Sequence, residues 1–301
     1  MAASGGDRLV ILDGGTGREL KRRGVPVPET IWSANALFVA PEIVLAVHRD
    51  YLAAGADVIT TNNYTVTPAI LALDGLDACF EELTRLAGQL ARAAADSVGG
   101  GKRVAGCLPP LLGSYRPDLL APEDERSRLY GRIAALLAPF VDLFLCETMA
   151  TPEEARTAAA AATATGKPVW VSWTVDDGAE GPPSGLLRGG HSLAEAVGAL
   201  HGLAVEAVLV NCSPPEAIDA AMPALRAAAG GRAFGGYANA FAPVPKTWRL
   251  EEAGFVPSRD VPPERYRDHA RTWHAGGARI VGGCCGIGPE HIALVKSALA
   301  A

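Results

Sequence analysis

Short apolar runs alternate with longer amphipathic segments along this 301-residue chain, and the alternation repeats eight times. The apolar runs have five or six residues and carry few polar positions, which is typical of strands that are covered on both faces. The predicted strands are Arg8–Leu12, Asp57–Thr61, Arg103–Cys107, Asp142–Cys146, Pro168–Trp173, Ala207–Asn211, Ala233–Tyr237 and Ala278–Gly282.

Helical patterns fill the spaces after these strands, and many of them open with proline or an acidic residue, which is a helix-start signal. The predicted helices are Pro41–Ala54, Leu76–Ser97, Glu123–Ala138, Pro152–Thr165, Ser192–Leu203, Pro215–Ala228, Pro263–Ala275 and Pro289–Leu299. Eight repeats of strand and helix predict an α/β fold, a single (β/α)8 barrel of the TIM type that spans residues 1–301 as one domain.

Two connections are long, namely Asp13–Ala40 after the first strand and Ala238–Pro262 after the seventh. Long connections in a compact domain are usually functional. Both are expected at the C-terminal face of the strands, where barrel enzymes build their active sites. Whether the second connection is a mobile lid is a question that the sequence leaves open.

Composition and charge argue against nucleic acid and membranes as partners of this chain. The chain is 49% hydrophobic, enough for a large core, and its net charge of −6 argues against a nucleic-acid partner. No apolar run approaches the ~18 residues of a membrane span. The N-terminal residues lack the apolar centre of a signal peptide. We therefore expect a cytoplasmic protein with no membrane partner, while the oligomeric state is not indicated.

Three of the six cysteines form the most informative pattern. Cys284 and Cys285 are adjacent and lie between glycines after the eighth strand, and Cys212 ends the sixth. In a reducing compartment these thiols are free, and adjacent cysteines are poorly placed for a disulfide. A catalytic zinc site has three protein ligands and one open position. The pattern therefore predicts Zn²⁺ bound by Cys212, Cys284 and Cys285 at the C-terminal face.

The predicted zinc site suggests thiol chemistry. A free alkyl thiol has a pKa of about 8.5, and coordination to zinc removes its proton. Three cysteine thiolates and a substrate thiolate around Zn²⁺ carry a formal charge of −2, which attracts a small cationic methyl donor. These features predict a thiol methyltransferase.

Other polar residues are expected at the same end of the barrel. Asp13 and Glu147 follow the first and fourth strands and are candidates to bind an ammonium group, and Asn62 follows the second. The glycine-rich loop Gly14–Gly17 could bind an anion with its backbone amides. Cys107, after the third strand, is a fourth thiol in this region. As a fourth fixed ligand it would close the open zinc position.

Five short motifs together resemble the homocysteine S-methyltransferase family over nearly the whole chain. They are Leu12–Gly17, Thr61–Tyr64, Cys146–Thr148, Val210–Cys212 and Gly282–Gly286. The resemblance implies a zinc-containing barrel that methylates homocysteine to methionine.

The resemblance also implies roles for individual residues. It implies that Cys212, Cys284 and Cys285 bind zinc, and that Asp13 and Glu147 hold the ammonium group of homocysteine. Asn211 would orient the site from behind these groups. The substrate-binding candidates are Gly14, Gly15, Thr16 and Gly17, whose backbone would lie near the substrate carboxylate, together with Asn62 and Tyr64.

Two loops depart from the family pattern and leave the donor undetermined. Gly106–Pro110 replaces a glycine-serine-x-glycine-proline run, and Tyr237–Phe241 replaces a tyrosine-proline-asparagine run. S-methylmethionine, S-adenosylmethionine and a betaine-like donor are the candidates. Trp32, Trp173 and Trp248 are candidates to face the cationic donor by cation–π attraction.

Three alternatives to this function stay open. The acceptor could be selenocysteine or another small thiol or selenol. The chain could be a homocysteine-binding subunit of a split methionine synthase system without turnover of its own. It could also be a metal-free barrel lyase with structural cysteines. Asp176 and Asp177 are expected to be solvated loop charges.

Overall fold

A computed structural model describes residues 8–245 and 256–300, and eight parallel strands form its centre. In sheet order the strands run β1-β8-β7-β6-β5-β4-β3-β2. Their bounds are β1 Val10–Ile11, β2 Val58–Thr60, β3 Arg103–Leu108, β4 Leu143–Met149, β5 Val169–Trp173, β6 Ala207–Asn211, β7 Ala233–Ala238 and β8 Ile280–Gly283.

The sheet closes on itself between β1 and β2. Leu12 forms a parallel bridge with Val58. The Asp57 amide donates to the Ile11 carbonyl at 2.7 Å, and the Asp13 amide donates to the Val58 carbonyl at 3.0 Å. These contacts confirm the predicted eight-stranded barrel. They also bring the ends of the first and second strands together at the C-terminal face.

Eleven α-helices lie within the described residues. They are α1 Thr16–Arg22, α2 Asn35–Val39, α3 Pro41–Ala53, α4 Pro68–Ala72, α5 Phe80–Val98, α6 Glu123–Leu137, α7 Pro152–Thr163, α8 Leu193–Gly198, α9 Pro215–Ala228, α10 Pro263–Ala275 and α11 Pro289–Leu299. Each of the eight predicted helices has a counterpart, while α1, α2 and α4 lie in segments that the pattern left as connections.

Two predicted helices were too long. The segment predicted as Leu76–Ser97 begins with a 3-10 turn at Asp77–Cys79, and its α-helix starts only at Phe80. Such turns are common at helix N-termini. The segment predicted as Ser192–Leu203 ends at Gly198, because glycine is a poor helix former.

Apolar side chains pack in two layers on either side of the strands. The larger layer fills the space between the strands and the outer helices. The smaller layer fills the barrel interior, and it consists of Leu12, Val58, Ala105, Leu143, Leu145, Trp170, Ala207, Leu209, Tyr237 and Ile280. The barrel interior is therefore a packed core, and the place where barrel enzymes bind their ligands lies above it, at the ends of the strands.

The two described parts of the long connection after β7, residues 239–245 and 256–262, contact each other at this end of the barrel. Phe241 forms an antiparallel bridge with Ser258, and the Ala242 amide donates to the Pro257 carbonyl at 2.8 Å. Val244 and Val256 pack with Cys212. Within the described ranges, no helix is both long enough and apolar enough to cross a membrane.

Candidate metal and substrate site

A cavity of about 190 Å³ opens at the C-terminal face of the barrel. It is built from the ends of several strands and from the loops that follow them. The predicted site residues that line it are Asp13, Gly14, Gly15, Thr16, Gly17, Asn62, Tyr64, Glu147, Cys212, Cys284 and Cys285. The structure thus brings eleven of the twelve candidates to one cavity, and Asn211 lies just behind it.

The three cysteines meet at one wall of this cavity. Their sulfur atoms all lie within 4.8 Å of one another, and the Sγ atoms of Cys212 and Cys285 are 4.0 Å apart. Among residues 8–245 and 256–300, no other group of three such side chains could hold a metal ion. Cys212 and Cys285 are 73 residues apart in the chain, and the barrel brings them together because both follow strands of the same sheet.

Backbone hydrogen bonds hold the cysteine pair in place. The Cys284 amide donates to the Ala238 carbonyl, and the Cys285 carbonyl accepts from the Ala240 amide, both at 2.8 Å. Gly286 follows with a φ of +84°, a left-handed conformation that glycine adopts without steric cost. This conformation turns the chain directly after Cys285, so that both thiols face the cavity.

Left-handed backbone also concentrates at the cavity. Within the described ranges, four residues other than glycine have a positive φ, and all four line it: Trp32, Tyr115, Thr148 and Cys212. Such conformations cost on the order of 1–3 kcal/mol each and cluster at functional sites. The rest of the fold therefore stabilises an unfavourable backbone conformation at these four residues, and this conformation sets the direction of their side chains.

The donor set fits a zinc ion. A tetrahedral site with Zn–S bonds of about 2.3 Å separates its sulfur atoms by about 3.8 Å. The 4.0 Å between the sulfurs of Cys212 and Cys285 is close to that spacing. Three soft sulfur donors from the protein would leave the fourth position of a tetrahedral zinc site open.

Cys212 is the thiol most prepared to be a thiolate. Hydrogen bonds from the thiols of Cys284 and Cys285 hold the pKa of Cys212 well below its ordinary value, against the opposing effect of burial. The Tyr115 hydroxyl lies 3.1 Å from its sulfur and 2.7 Å from its carbonyl oxygen. The amide nitrogen of Asn239 lies 4.0 Å from the same sulfur and donates to the Tyr115 hydroxyl at 3.4 Å.

Asp13 is a buried carboxylate whose position is set by β2. Its Oδ2 accepts from the Thr60 amide at 2.8 Å, and its Oδ1 accepts from the Thr60 hydroxyl at 3.3 Å. Burial raises its pKa to about 8, with the nearby charge of Glu147 acting in the same direction and the hydrogen bonds from Thr60 acting against it. A buried carboxylate of this kind is stabilised in its charged form by a bound cation.

Glu147 lies at the end of β4, across the cavity from Asp13. Burial raises its pKa to about 7, and the charge of Cys212 acts in the same direction. The Cys107 thiol donates to its Oε2 at 3.4 Å. Cys107 therefore contacts the carboxylate, and it does not belong to the group of three thiols that could hold a metal.

This placement gives a first prediction. Cys107→Ser is expected to leave zinc stoichiometry unchanged, because the hydroxyl replaces the thiol as a donor to Glu147 and removes no ligand. Metal analysis of the purified variant checks it. Loss of zinc in this variant would show that Cys107 is a ligand.

The first loop packs tightly on the cysteine loop. A methyl group at Gly15 would lie 2.7 Å from the Cys284 carbonyl oxygen, and one at Gly14 would lie 2.2 Å from that of Ile287. The Gly15 amide donates to the Ile287 carbonyl at 3.0 Å, so it is already used. The amides of the first turn of α1, which begins at Thr16, lack intrahelical acceptors, as in any helix.

Asn62 and Tyr64 lie on the β2 side of the cavity. Asn62 donates to the Ser33 carbonyl at 3.0 Å, which ties it to the connection after β1. The Tyr64 hydroxyl lies 2.9 Å from the hydroxyl of Ser114. Ser114 belongs to the loop after β3, so residues that follow the departing segment Gly106–Pro110 form part of this wall.

Asn211 is fully buried and connects two strand ends. Its Oδ1 accepts from the Thr148 amide at 3.1 Å and from the Ser172 hydroxyl at 2.6 Å, and its Nδ2 donates to the Thr148 hydroxyl at 2.7 Å. Thr148 follows Glu147, and Asn211 precedes Cys212. One amide side chain therefore links the backbone of a candidate substrate-binding carboxylate to that of a candidate metal ligand.

The three tryptophan candidates have different positions. Trp32 is partly buried and lines the cavity. Trp173 is fully buried in the layer between the strands and the outer helices, so its ring does not reach the cavity. Trp248 lies outside the described residues.

The sequence did not predict the roles of Arg188 and Tyr115 near the site, and the prediction for Asp177 was wrong. Asp177, expected to be solvated, is buried and forms an ion pair with Arg188, which is also buried. No sequence pattern indicates Arg188, since its contacts depend on three loops that meet only in the folded barrel. The contact between Tyr115 and Cys212 likewise depends on two loops that meet only in the folded barrel.

Comparison with known proteins gives consistent matches. The profile of the family described as Homocysteine S-methyltransferase matches residues 10–299. A homocysteine S-methyltransferase of Escherichia coli is 31% identical over 96% of this chain and 94% of its own length. A selenocysteine methyltransferase of Astragalus bisulcatus is 28% identical over 95% of this chain and 90% of its own length.

Solved structures agree with these matches. The metallated form of the homocysteine methyltransferase MmuM from Escherichia coli superposes with a TM-score of 0.79 at 30% identity, covering 97% of this chain and 96% of that one. Its oxidized form gives a TM-score of 0.80 at the same identity, with 96% of this chain covered.

Proposed function

Because this chain belongs to the homocysteine S-methyltransferase family and is a methyltransferase, we propose that it is a zinc enzyme that transfers a methyl group from a cationic sulfonium donor to the thiol of homocysteine. The products are methionine and the demethylated donor. The observation that carries the proposal is the group of three thiols in one cavity with two carboxylates, the buried Asp13 and the partly buried Glu147.

Cys212, Cys284 and Cys285 would hold the zinc ion through their sulfur atoms. Bound there, zinc would remove the proton of the substrate thiol and present its sulfur as a thiolate. The metallated form of a solved relative that is 30% identical supports this assignment.

Asp13 and Glu147 would bind the ammonium group of homocysteine. Asp13 is buried and Glu147 is partly buried, and desolvation raises their pKa values to about 8 and about 7. A cation between them would offset this cost, because an opposite charge a few ångströms away favours the charged carboxylate. The substrate amine would therefore be held at a fixed position relative to the three thiols.

The carboxylate of homocysteine would lie at the first loop. The amides at the start of α1, at Thr16 and Gly17, lack intrahelical partners and line the cavity. Gly15 is excluded as a donor, because its amide donates to the Ile287 carbonyl.

The methyl donor would enter above the substrate sulfur, where Trp32 lines the cavity. A sulfonium is attracted by an aromatic face and by the negative charge of the thiolates and carboxylates. The substrate sulfur attacks the methyl carbon, and the new carbon–sulfur bond forms as the bond to the donor sulfur breaks. The electron pair of that bond leaves with the donor, which becomes a neutral thioether. S-methylmethionine and S-adenosylmethionine are the proposed donors.

The test is direct. Purified protein is expected to contain close to one zinc per chain and to convert homocysteine to methionine when either sulfonium is added. Methionine is measured by mass spectrometry with an isotope-labelled methyl group. Zinc-loaded protein that forms no methionine with any sulfonium or betaine donor contradicts the proposal.

The similarity to the selenocysteine methyltransferase of Astragalus bisulcatus supports a second acceptor. A selenol fits the same position as a thiol, so we propose selenocysteine as the alternative substrate. Competition between the two acceptors at equal concentration gives the ratio of their kcat/KM values and decides which is preferred.

The two remaining alternatives have less support. A metal-free lyase does not account for the three convergent thiols. A subunit without turnover is disfavoured because the match to the Escherichia coli relative extends over 94% of that enzyme's length.

A further inference from the structure

Tyr115 contacts Cys212 through its hydroxyl, from the loop between β3 and α6. The oxygen lies 3.1 Å from the sulfur and 2.7 Å from the carbonyl oxygen of Cys212. Both residues are buried and both have left-handed backbone, with φ values of +62° and +50°. Two unfavourable conformations are thus maintained where this contact forms, which a purely space-filling role for the ring does not explain.

A buried ion pair supports the ring of Tyr115 from behind. The guanidinium carbon of Arg188 lies 4.4 Å from the ring centroid, and Arg188 pairs with Asp177 at 2.5 Å. Asp177 also accepts from the Val244 amide at 3.2 Å. Burying two charges is costly, and a buried pair is often no more stable than apolar residues of the same size. The proposed reaction uses neither charge.

A methyltransferase of this kind has to discriminate between sulfur atoms. Four thiolates would share one zinc ion, three from the protein and one from the substrate, and a sulfonium donor can methylate any of them. Methylation of a protein thiolate would cost the enzyme a ligand. A hydrogen bond to a thiolate stabilises its charge and so makes its electron pair less reactive.

We propose that Tyr115 is a positioning residue that protects Cys212 from methylation and so directs the methyl group to the substrate sulfur. This inference rests on the proposed zinc-dependent function. Among the described residues, Cys212 is the cysteine of the three for which a hydroxyl donor is in contact with the sulfur.

A buried cation holds the ring of Tyr115 in place. Its hydroxyl carries a proton at neutral pH, as any tyrosine does, and can donate it. The cation of Arg188 over the ring face stabilises the ring orientation and polarises the O–H bond toward its acceptors. Asp177 holds that cation in place and also ties it to the loop after β7, through Val244.

The hydroxyl has one proton for two acceptors. The neutral carbonyl of Cys212 competes with its sulfur, but a thiolate is the stronger acceptor because bonds to charged groups are about twice as strong. The contact therefore fixes the Cys212 backbone when the sulfur is a thiol and protects the sulfur when it is a thiolate.

Tyr115→Phe removes the hydroxyl and keeps the ring, and Tyr130→Phe is the matched control. Tyr130 is also buried, and its hydroxyl donates to the Pro109 carbonyl and to Glu154, but it has no hydrogen bond to Cys212, Cys284 or Cys285. Each protein is loaded with zinc and incubated with S-methylmethionine without homocysteine, and methylation of Cys212 is followed by peptide mass spectrometry. The affinity for zinc is measured in parallel by chelator competition.

In Tyr115→Phe, we expect Cys212 to be methylated at least about tenfold faster than in wild type. We also expect the affinity for zinc to fall about tenfold, which is the usual scale for loss of an outer hydrogen bond at a metal site. Tyr130→Phe is expected to match wild type in both measurements. Arg188→Lys, which keeps the charge but loses the planar group over the ring, is expected to raise Cys212 methylation by a smaller factor.

The results that would overturn the inference are distinct from those that would overturn the function. If wild-type protein binds zinc and Tyr115→Phe methylates Cys212 at the wild-type rate, the protective role is wrong even if zinc affinity falls. Arg188→Lys at the wild-type rate would remove Arg188 from the proposal. Wild-type protein that binds no zinc would contradict the proposed function itself.

Discussion

Replacing Cys285 with serine is expected to abolish stoichiometric zinc binding and to lower methyl transfer by at least about 100-fold. Loss of an outer hydrogen bond at a metal site already costs about 10–100-fold in metal affinity or activity, so loss of a direct ligand costs more. Serine replaces a soft thiolate with a neutral hydroxyl, and only the sulfurs of Cys212 and Cys284 remain. Metal analysis and an assay of methionine formation measure both effects.

The barrel itself should stay folded in Cys285→Ser. The cysteine loop is held by its backbone, through the bond from the Ala240 amide to the Cys285 carbonyl, and serine leaves this bond intact. The control is Cys79→Ser, at a cysteine in the 3-10 turn before α5 that does not line the cavity. It should match wild type in zinc, activity and circular dichroism. Full zinc occupancy in Cys285→Ser would remove Cys285 from the ligand set.

The site residues that could be predicted from the sequence are those that directly follow a strand. Asp13, Glu147, Cys212 and the Cys284–Cys285 pair each follow an apolar run. In a parallel barrel the C-terminal ends of all strands lie at one face. A correct list of strands therefore predicts which side chains share a cavity, whatever their separation in the chain, and no side-chain geometry is needed.

The residues and backbone conformations that hold these side chains in place could not be predicted in the same way. Asp177 lies in a polar stretch that is typical of solvated loops, and only the approach of Arg188 and the loop after β7 buries it. Cys212 and Thr148 have left-handed backbone, but neither is a glycine or an asparagine, the residues from which such a conformation is usually predicted. Contacts between loops determine both the burial of Asp177 and these backbone conformations. Neither the hydrophobic period nor the spacing of residues predicts such contacts.

Replacing Glu147 with glutamine is expected to raise the KM for homocysteine by about 30-fold, or about 2 kcal/mol, at unchanged zinc content. That is the low end of the 2–5 kcal/mol found when one partner of a buried charge pair is removed. The low end is expected because Asp13 remains to face the ammonium group, and because glutamine keeps the shape of the side chain. Steady-state kinetics with metal analysis of the same sample measures both quantities.

A matched control separates ammonium binding from the general effect of removing a buried carboxylate. Glu154 is also buried, with a pKa raised by burial, and it accepts hydrogen bonds from the Leu111 amide and the Tyr130 hydroxyl. It does not line the cavity, so Glu154→Gln should leave the KM for homocysteine close to that of wild type. A homocysteine analogue without the amino group should bind wild type and Glu147→Gln almost equally, because its binding lacks the interaction that the substitution removes. An equal loss for both ligands would mean that Glu147 acts on the sulfur end of the site, and an unchanged KM would mean that it does not contact the substrate.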